Sequence, residues 1–497
     1  MRRLLSFASV AALLGACTTV GPDFTTPAAP AAPGYAMAGD APTREAAVGQ
    51  QLAGDWWALF RSPELDQTVR QAVAGNHGLE AARASLAQAG DAVQAQASRL
   101  KLDADGQLAK DRVNLSSFGF SQLPIPGGGT LSLSNPTFTI YSFGASGSYD
   151  FDVFGQRRRE RERLLADQEA QAYQTDAAYL TLTAQVVSQA IDIASLRAQI
   201  DAAEEVVKSD QSNLDLVTKS YQLGGGTRLD VSTVQTELAS DQAIITPMRQ
   251  QLAVARHALA LLVGQPPSGF TPPEFDLDHI AQPDQVPVEL PSALVHDRPD
   301  IRAAEAELHA ATAQIGVATA DLYPKLSLTG SITQGALHPS DLFSYSATGF
   351  LVGPSVSVPL FHGQELKAKK RMAEDEARQS LATYEQTVLK AFVQVADSLQ
   401  AVSHDDQAII DANNQLAAST DSLNLQRLRF QDGKTGLLPV LDAQRSWARA
   451  RIAAVRARAQ RLQDTAGLLY AVSHNWNRAA TTEPQTSTVA SAAPANH

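Results

Sequence analysis

Two long stretches of this 497-residue chain contain neither glycine nor proline: Gln156–Leu223, 68 residues, and Gln364–Asp432, 69 residues. Nothing in either run forces a helix to stop. As uninterrupted helices they would each reach about 100 Å at 1.5 Å per residue. Cysteine is nearly absent as well. Cys17 is the only one, which excludes a framework of intramolecular disulfides. Beyond the N-terminus no stretch of 18 apolar residues occurs, so no helix of the mature chain is expected to span a bilayer. Positive charge is in deficit too. A net charge of −12 disfavours nucleic acid, whose phosphates require a basic face. Motifs for chemistry are missing: there is no His-Glu-x-x-His and no Gly-x-Ser-x-Gly, and the ten histidines are scattered without ligand spacing. Neither an enzyme nor a motor is expected. Energy for any transport has to come from a partner.

What is present is periodicity. In the first run Tyr173, Ala177, Leu180, Ala184, Val187, Ile191, Ala194 and Ala198 keep a 4-3 beat, the seam of a coiled coil. The second run repeats it through Tyr384, Val388, Ala391, Val395, Ser398 and Val402, with one polar slip. Alanine on the seam lets neighbouring helices approach closely. Two long helices of nearly equal length imply an internal duplication.

Ahead of each long helix the period changes to two. Tyr141, Phe143, Ala145, Gly147, Tyr149, Phe151 and Val153 alternate with Ser142, Gly144, Ser146, Ser148, Asp150 and Asp152, which predicts a strand with one oily and one wet face. A weaker partner strand is expected at about 102–115, with a loop or hairpin tip over 123–136. In the second half Leu326, Leu328, Gly330 and Ile332 alternate with Ser327, Thr329, Ser331 and Thr333, and a fourth strand is expected over about 343–360.

Other landmarks recur in the same order. Ser62-Pro63-Glu64 opens a short helix, and a longer one runs from Leu79 to about Leu100. Arg298-Pro299-Asp300-Ile301 opens its counterpart at an offset of 222. The long helices end alike, Tyr221-Gln222-Leu223-Gly224 against Phe430-Gln431-Asp432-Gly433, at an offset of 209. Returning helices follow from Thr227 to about Val263 and from Leu437 to about His474, with Gln235 matching Gln444. Gly224, Gly225, Gly226 and Gly433 are read as permitting tight reversals rather than as a phosphate-binding loop. Trp56 and Trp57 are read as packing residues rather than a binding platform.

The N-terminus reads as an export signal. Arg2 and Arg3 precede the apolar run Leu4–Leu14, and Leu14-Gly15-Ala16 leads to Cys17. This is the pattern of a bacterial lipobox, with Cys17 as the acylated first residue and Thr18, rather than Asp, after it. Two or more acyl chains suffice for stable anchoring. No cofactor is expected besides that covalent lipid. The chain then divides into a signal peptide (1–17), a Pro/Ala-rich tether (18–54), a first repeat (55–264), a linker (265–297), a second repeat (298–476) and a disordered tail (477–497).

Four strands cannot close a membrane barrel, and an open strand edge is prohibitive in lipid. Sister chains must then pool their strands. Two copies give eight, which fill their own interior, whereas three give twelve, wide enough for a lumen. The expected fold class is therefore mainly α with a membrane β-barrel: four strands per chain in a trimeric 12-stranded barrel, continued by an α-helical periplasmic barrel.

This order of elements resembles the TolC-like outer-membrane factor family, specifically the lipoprotein branch (NodT-like) that serves RND-type efflux pumps. The likeness is carried by Asp55-Trp56-Trp57-Ala58-Leu59-Phe60-Arg61-Ser62-Pro63, Leu290-Pro291-Ser292-Ala293-Leu294 and Arg298-Pro299-Asp300-Ile301-Arg302-Ala303-Ala304-Glu305. Ile315-Gly316-Val317-Ala318, Tyr323-Pro324-Lys325-Leu326-Ser327-Leu328 and Val440-Leu441-Asp442-Ala443-Gln444-Arg445 carry it further. Single motifs are weak; all of them in order, from Cys17 to about Trp476, are specific. The resemblance implies a homotrimer that docks a periplasmic adaptor (membrane fusion) protein and works with an inner-membrane RND pump, in contact with outer-membrane lipid and without nucleic acid. It implies export of drugs or other toxic small molecules, with type I protein secretion as the alternative within the duct reading and a structural coiled-coil lipoprotein as the alternative outside it. It also implies a periplasmic tip closed by acidic residues. Asp442 matches one such position, while Pro439 stands where the neighbouring acid is expected. Asp230 could supply a second ring, and Arg228 could pair with a tip acid.

Overall fold

The two glycine- and proline-free runs are the two longest helices of the chain, and their bounds lie within one residue of those read from the sequence. In this computed structural model the described residues are 19–28, 34–35, 37, 47–48, 54–96, 100–112, 122–125, 127–132, 137–283, 287–288, 295 and 297–473. The expected signal peptide, Cys17, most of the 18–54 tether, the Leu290–Leu294 motif and the 477–497 tail lie outside them.

In chain order the elements are β1 (Ala47–Val48), α1 (Pro63–Gly75), α2 (His77–Gln96), β2 (Leu100–Arg112), β3 (Gln122–Ile125), β4 (Gly129–Ser132), β5 (Thr137–Asp150) and α3 (Gln156–Gln222). There follow α4 (Arg228–Val263), β6 (Pro287–Val288), α5 (Pro299–Ala320), β7 (Lys325–Ala336), β8 (Thr348–Ser357), α6 (Gly363–Gln431) and α7 (Leu438–Val472). Local chemistry sets several of these bounds. Ser62 accepts a bond from Leu65 N–H at 3.4 Å to cap α1, with Pro63 in the first turn. Asn76 alone separates α1 from α2, capping the latter by accepting from Leu79 N–H at 3.0 Å. The break is thus one residue wide, narrower than the four-residue break Gly75–Gly78 that the sequence suggests.

The chain divides into two units. The first comprises residues 1–26, 88–168 and 306–381. Its centre is a four-stranded antiparallel sheet in the order β2-β5-β7-β8. Backbone pairing sets the alternating residues in register across the sheet. Ala145 pairs with Ala104 and Ile332, and Ile332 with Phe350; Gly147 pairs with Leu102 and Gly330, and Gly330 with Val352. The rows between them align Ser146 with Asp103 and Ser331, and Ser148 with Lys101 and Thr329. Because side chains alternate across the pleat, one face of the sheet is apolar and the other mostly polar. The apolar face is uncovered: Phe350 is 80 % exposed, Val352 72 % and Ile332 51 %. β2 and β8 are the two outer strands, and among the described residues neither outer edge has a partner.

Two sequence expectations shift here. β8 begins at Thr348 rather than near 343, because short 3-10 turns at Pro339–Asp341 and Tyr345–Ala347 take up the connection from β7. The expected loop over 123–136 contains a small hairpin of its own, β3 paired with β4 across Gly127-Gly128.

The second unit comprises residues 27–87, 169–305 and 382–497. Its core joins Trp56, Phe60, Leu65 and Val69 to Val186, Val187 and Ile191 of α3, Val388 and Val395 of α6, and Leu462, Leu468 and Leu469 of α7. Each such side chain contributes roughly 1.5–3 kcal/mol on full burial. The α6 seam is buried at Tyr384, Val388, Ala391 and Val395, and only half-buried at Ser398 and Val402. α3 exceeds its seam. Leu182, Val186, Ala190 and Ile193 are buried in addition to Leu180, Val187, Ile191 and Ala194, so this part of α3 is packed on two sides. Trp56 and Trp57 sit inside the core, with Trp57 Nε1 donating to Asp66 at 3.0 Å, which leaves no exposed platform.

Candidate functional site

The candidate sites are the turns where the long helices end and the sheet with its attachments. In the second unit α3 ends where Gly224 adopts φ +82°, with Gly225 N–H bonding back to Ser220 O at 2.9 Å. α6 ends in the same way at Gly433, φ +69°, with Lys434 N–H on Arg429 O at 2.8 Å. These left-handed positions are the ones that require glycine. Gly226 is not left-handed; a Cβ there would meet the Ser220–Tyr221 backbone at 3.4 Å. Gly433 is followed by Lys434-Thr435, a fragment of a P-loop pattern. Leu428 stands where its first glycine belongs, and Lys434 is ion-paired to Asp432 at 2.8 Å, so no phosphate cradle results.

The returning helices start differently. α4 has a capping box: Thr227 Oγ1 accepts from Asp230 N–H at 3.2 Å, and Asp230 accepts from Thr227 N–H at 2.8 Å. The Thr227 hydroxyl, which donates to the Asp230 carboxylate at 2.7 Å, and then the Thr227 N–H hold that carboxyl below its usual range. Arg228 is exposed and, among the described residues, makes no ion pair. α7 starts at Leu438-Pro439 without a side-chain cap. Asp442, one turn in, is exposed and lies 3.5 Å from Arg445, which also pairs with Glu237 of α4.

Beneath these charges Val217, Val234 and Leu441 form one apolar cluster and Leu423, Val440 and Ala443 another, so α7 is held against both long helices. Between them lies a buried polar relay. Gln444 donates to Asp210 at 2.7 Å and accepts from Asn213 at 3.0 Å. Asp210 is 3 % exposed. Burial first, then the neighbouring Asp241 and Glu237 carboxyls, push it up to about 7. Sequence reasoning paired Gln235 with Gln444 as repeat equivalents, yet Gln235 is exposed. It missed Asp210, Asp241, Glu237 and Arg445, since sequence spacing carries no sign of contacts between distant helices.

In the first unit the segment Val20–Phe24 is docked at the sheet end of α3. Val20 N–H donates to Phe154 O at 3.2 Å. The buried Arg159 guanidinium donates to Val20 O at 3.1 Å, Gly21 O at 3.3 Å and Asp23 Oδ1 at 2.6 Å. Phe24 stacks on His309 with ring centroids 4.5 Å apart. The sequence showed only a Pro/Ala/Thr-rich segment here.

No group of acidic, histidine or cysteine side chains suited to a metal occurs among the described residues. No helix among them is long and apolar enough to cross a membrane.

Comparison with known proteins agrees with this organisation. The family described as outer membrane efflux protein matches residues 68–265 and 290–473, the two repeats. The pyoverdine export outer membrane protein OpmQ of Pseudomonas aeruginosa is 30 % identical over 476 residues, 95 % of this chain and 97 % of that protein. The cation efflux system protein CusC of Escherichia coli is 29 % identical over 451 residues, 89 % of this chain and 93 % of that protein. The solved structure of the outer-membrane channel OprN superposes with a TM-score of 0.80 at 27 % identity, covering 92 % of this chain and all of that one. With helix, strand, strand, long helix, turn and returning helix repeated in both halves, this chain belongs to the outer membrane efflux protein family.

Proposed function

We propose that the chain is one subunit of a homotrimeric outer-membrane duct of a tripartite RND-type efflux system. It passively carries small molecules from a periplasmic pump and adaptor to the exterior. One observation carries this reading: a sheet of four strands with an in-register apolar face and two outer edges that no described residue pairs. In lipid each unpaired edge group would cost several kcal/mol, so the strands are stable there only when copies of the chain complete a closed barrel. The names of the relatives support efflux, and the pyoverdine and cations in them fit a duct whose cargo is chosen by its pump. Cys17 carries the lipid anchor in this reading, and the docked segment Val20–Phe24 supports a tether that starts at the end of the sheet.

The helix-end turns form the periplasmic gate. Asp442 narrows the resting tip, and Asp230 and Arg228 act beside it in the first repeat. The test is the purified lipoprotein in planar bilayers and on gels with and without heating. The proposal requires a heat-dissociable trimer with a small resting conductance; a monomer without conductance contradicts it.

A further inference from the structure

Two clusters of cations stand where the sheet hands over to the long helices in the first unit. α3 opens with Arg157, Arg158 and Arg161 in its first two turns, and α6 with Lys367, Lys370 and Arg371. The first turn of a helix prefers acids. That of α3 has none of its own, its start being capped by Asp152, which accepts from Arg157 N–H at 2.8 Å; that of α6 has Glu365, paired with Lys369 at 2.6 Å. The chain as a whole is acidic, with a net charge of −12. Some of these cations have partners nearby: Arg157 pairs with Asp150 at 2.8 Å and Lys370 with Glu374 at 3.4 Å. Arg161, Lys367 and Arg371 are exposed and make no ion pair among the described residues.

The surroundings set the level of these charges. The strands that precede both helices end in exposed aromatics, Phe151 after β5 and Phe361 after β8, the latter 93 % exposed. Phe154 stacks on Tyr323, which precedes β7, at 4.6 Å. Apolar rows, then aromatic rings, then cations is the sequence of surfaces that meets hydrocarbon, interface and headgroups of a bilayer in turn. The N-terminal segment points to the same level. Val20, bonded to Phe154 O, stands three residues after Cys17, a span of about 10 Å at full extension.

We propose that Arg161, Lys367 and Arg371 form a collar for the phosphate-bearing headgroups of anionic phospholipids in the inner leaflet of the outer membrane. The inference rests on the membrane reading above. Charge complementarity selects the occupant: three unpaired cations, beside an apolar surface, on an otherwise acidic protein.

The test uses the full-length lipoprotein trimer in detergent, mixed with equal amounts of phosphatidylglycerol and phosphatidylcholine, with bound lipid counted by native mass spectrometry. The wild type is expected to retain phosphatidylglycerol in preference, by about fivefold for each effective cation. R161Q/K367Q/R371Q is expected to lose the preference, and R161K/K367R/R371K to keep it. Inorganic phosphate at millimolar concentration should not displace the lipid, because the acyl chains share in its binding. Equal retention of both lipids by the wild type, or an unchanged preference in the Gln variant, overturns the collar. So does displacement by free phosphate, or a Gln variant that loses trimer heat stability without any change in lipid, since the cations would then face a sister subunit. Vesicle insertion of the wild type separates the two readings. Insertion without lipid preference removes the collar alone, and no insertion removes the barrel as well.

Discussion

The amide of Gln444, at the start of one returning helix, donates to the carboxyl of Asp210, near the end of the long helix of the other repeat, at 2.7 Å. This bond ties the two repeats together beneath the helix-end turns. It satisfies one oxygen of a carboxyl whose other oxygen is buried without a hydrogen-bonding partner among the described residues. Burial, and then Asp241 and Glu237 of α4 facing the same carboxyl, push it well above its usual range.

A pH dependence follows. The unfolded chain releases this proton near 3.8 and the folded one near 7, so the folded form holds the extra proton between those values. Stability of the helix ends therefore falls as pH rises through that window. Asp210→Asn removes the titration. Amide hydrogen exchange over 205–220 should slow in the variant at pH 7.5, while at pH 4 the two proteins exchange alike.

The α4 capping box makes a second prediction. Thr227→Ala removes the side chain that caps the helix and should destabilise its first turn by about 1 kcal/mol. α7 has no such side-chain cap; Leu437 at its start has helical backbone and packs on the Val217, Val234 and Leu441 cluster, so Leu437→Ser should loosen that first turn as well. Hydrogen exchange in the first turns of α4 and α7 reads both.

Asp442 is the third case. It is exposed beside Arg445, which is itself engaged by Glu237. On the gate proposed above, Asp442→Ala should raise resting single-channel conductance several-fold by removing charge without unfolding the tip, because the Val217, Val234 and Leu441 cluster is untouched. Unchanged resting conductance would show that this acid does not narrow the duct.

The two faces of the sheet make the fourth prediction. Ile332 lies on the apolar face, in the row of Ala145 and Phe350, and its neighbour Ser331 lies on the other face. A lysine facing hydrocarbon costs roughly 2–4 kcal/mol at mid-bilayer. Ile332→Lys should therefore sharply reduce the heat-dissociable trimer in membranes, while Ser331→Lys is tolerated.

How far the sequence discloses this protein depends on the range of the interaction. The helices of α3 and α6 and the alternation of β5 and β7 are written in local period, and those bounds lie within a few residues of expectation. The seam of α3 underestimates its burial because a 4-3 pattern marks one partner, and Leu182, Val186 and Ile193 meet a second. β8 starts late because turns at Pro339 and Tyr345 interrupt a stretch that alternates weakly. At the helix ends the glycines are legible, since Gly224 and Gly433 stand where the helical pattern stops. The Glu237–Arg445 and Asp210–Gln444 contacts are not, because each joins residues more than 200 positions apart. Only the fold brings them together.

Strand edges provide the most direct test of a barrel completed by sister subunits. β2 and β8 are three strand spacings apart in one chain, about 14 Å. A disulfide needs Cβ atoms about 4 Å apart, so a cysteine in each cannot close within one chain. Cys17 is the chain's one native cysteine, and the acylation proposed for it leaves no other thiol in the background. Ala104→Cys should be combined in turn with cysteines at Phe350, Leu351, Val352, Val356 and Ser357, and the membrane-inserted protein oxidised and run unreduced. A covalent species of three chains at one register or more is the expected result. Only single chains at every register, in protein shown to be inserted, would contradict the account.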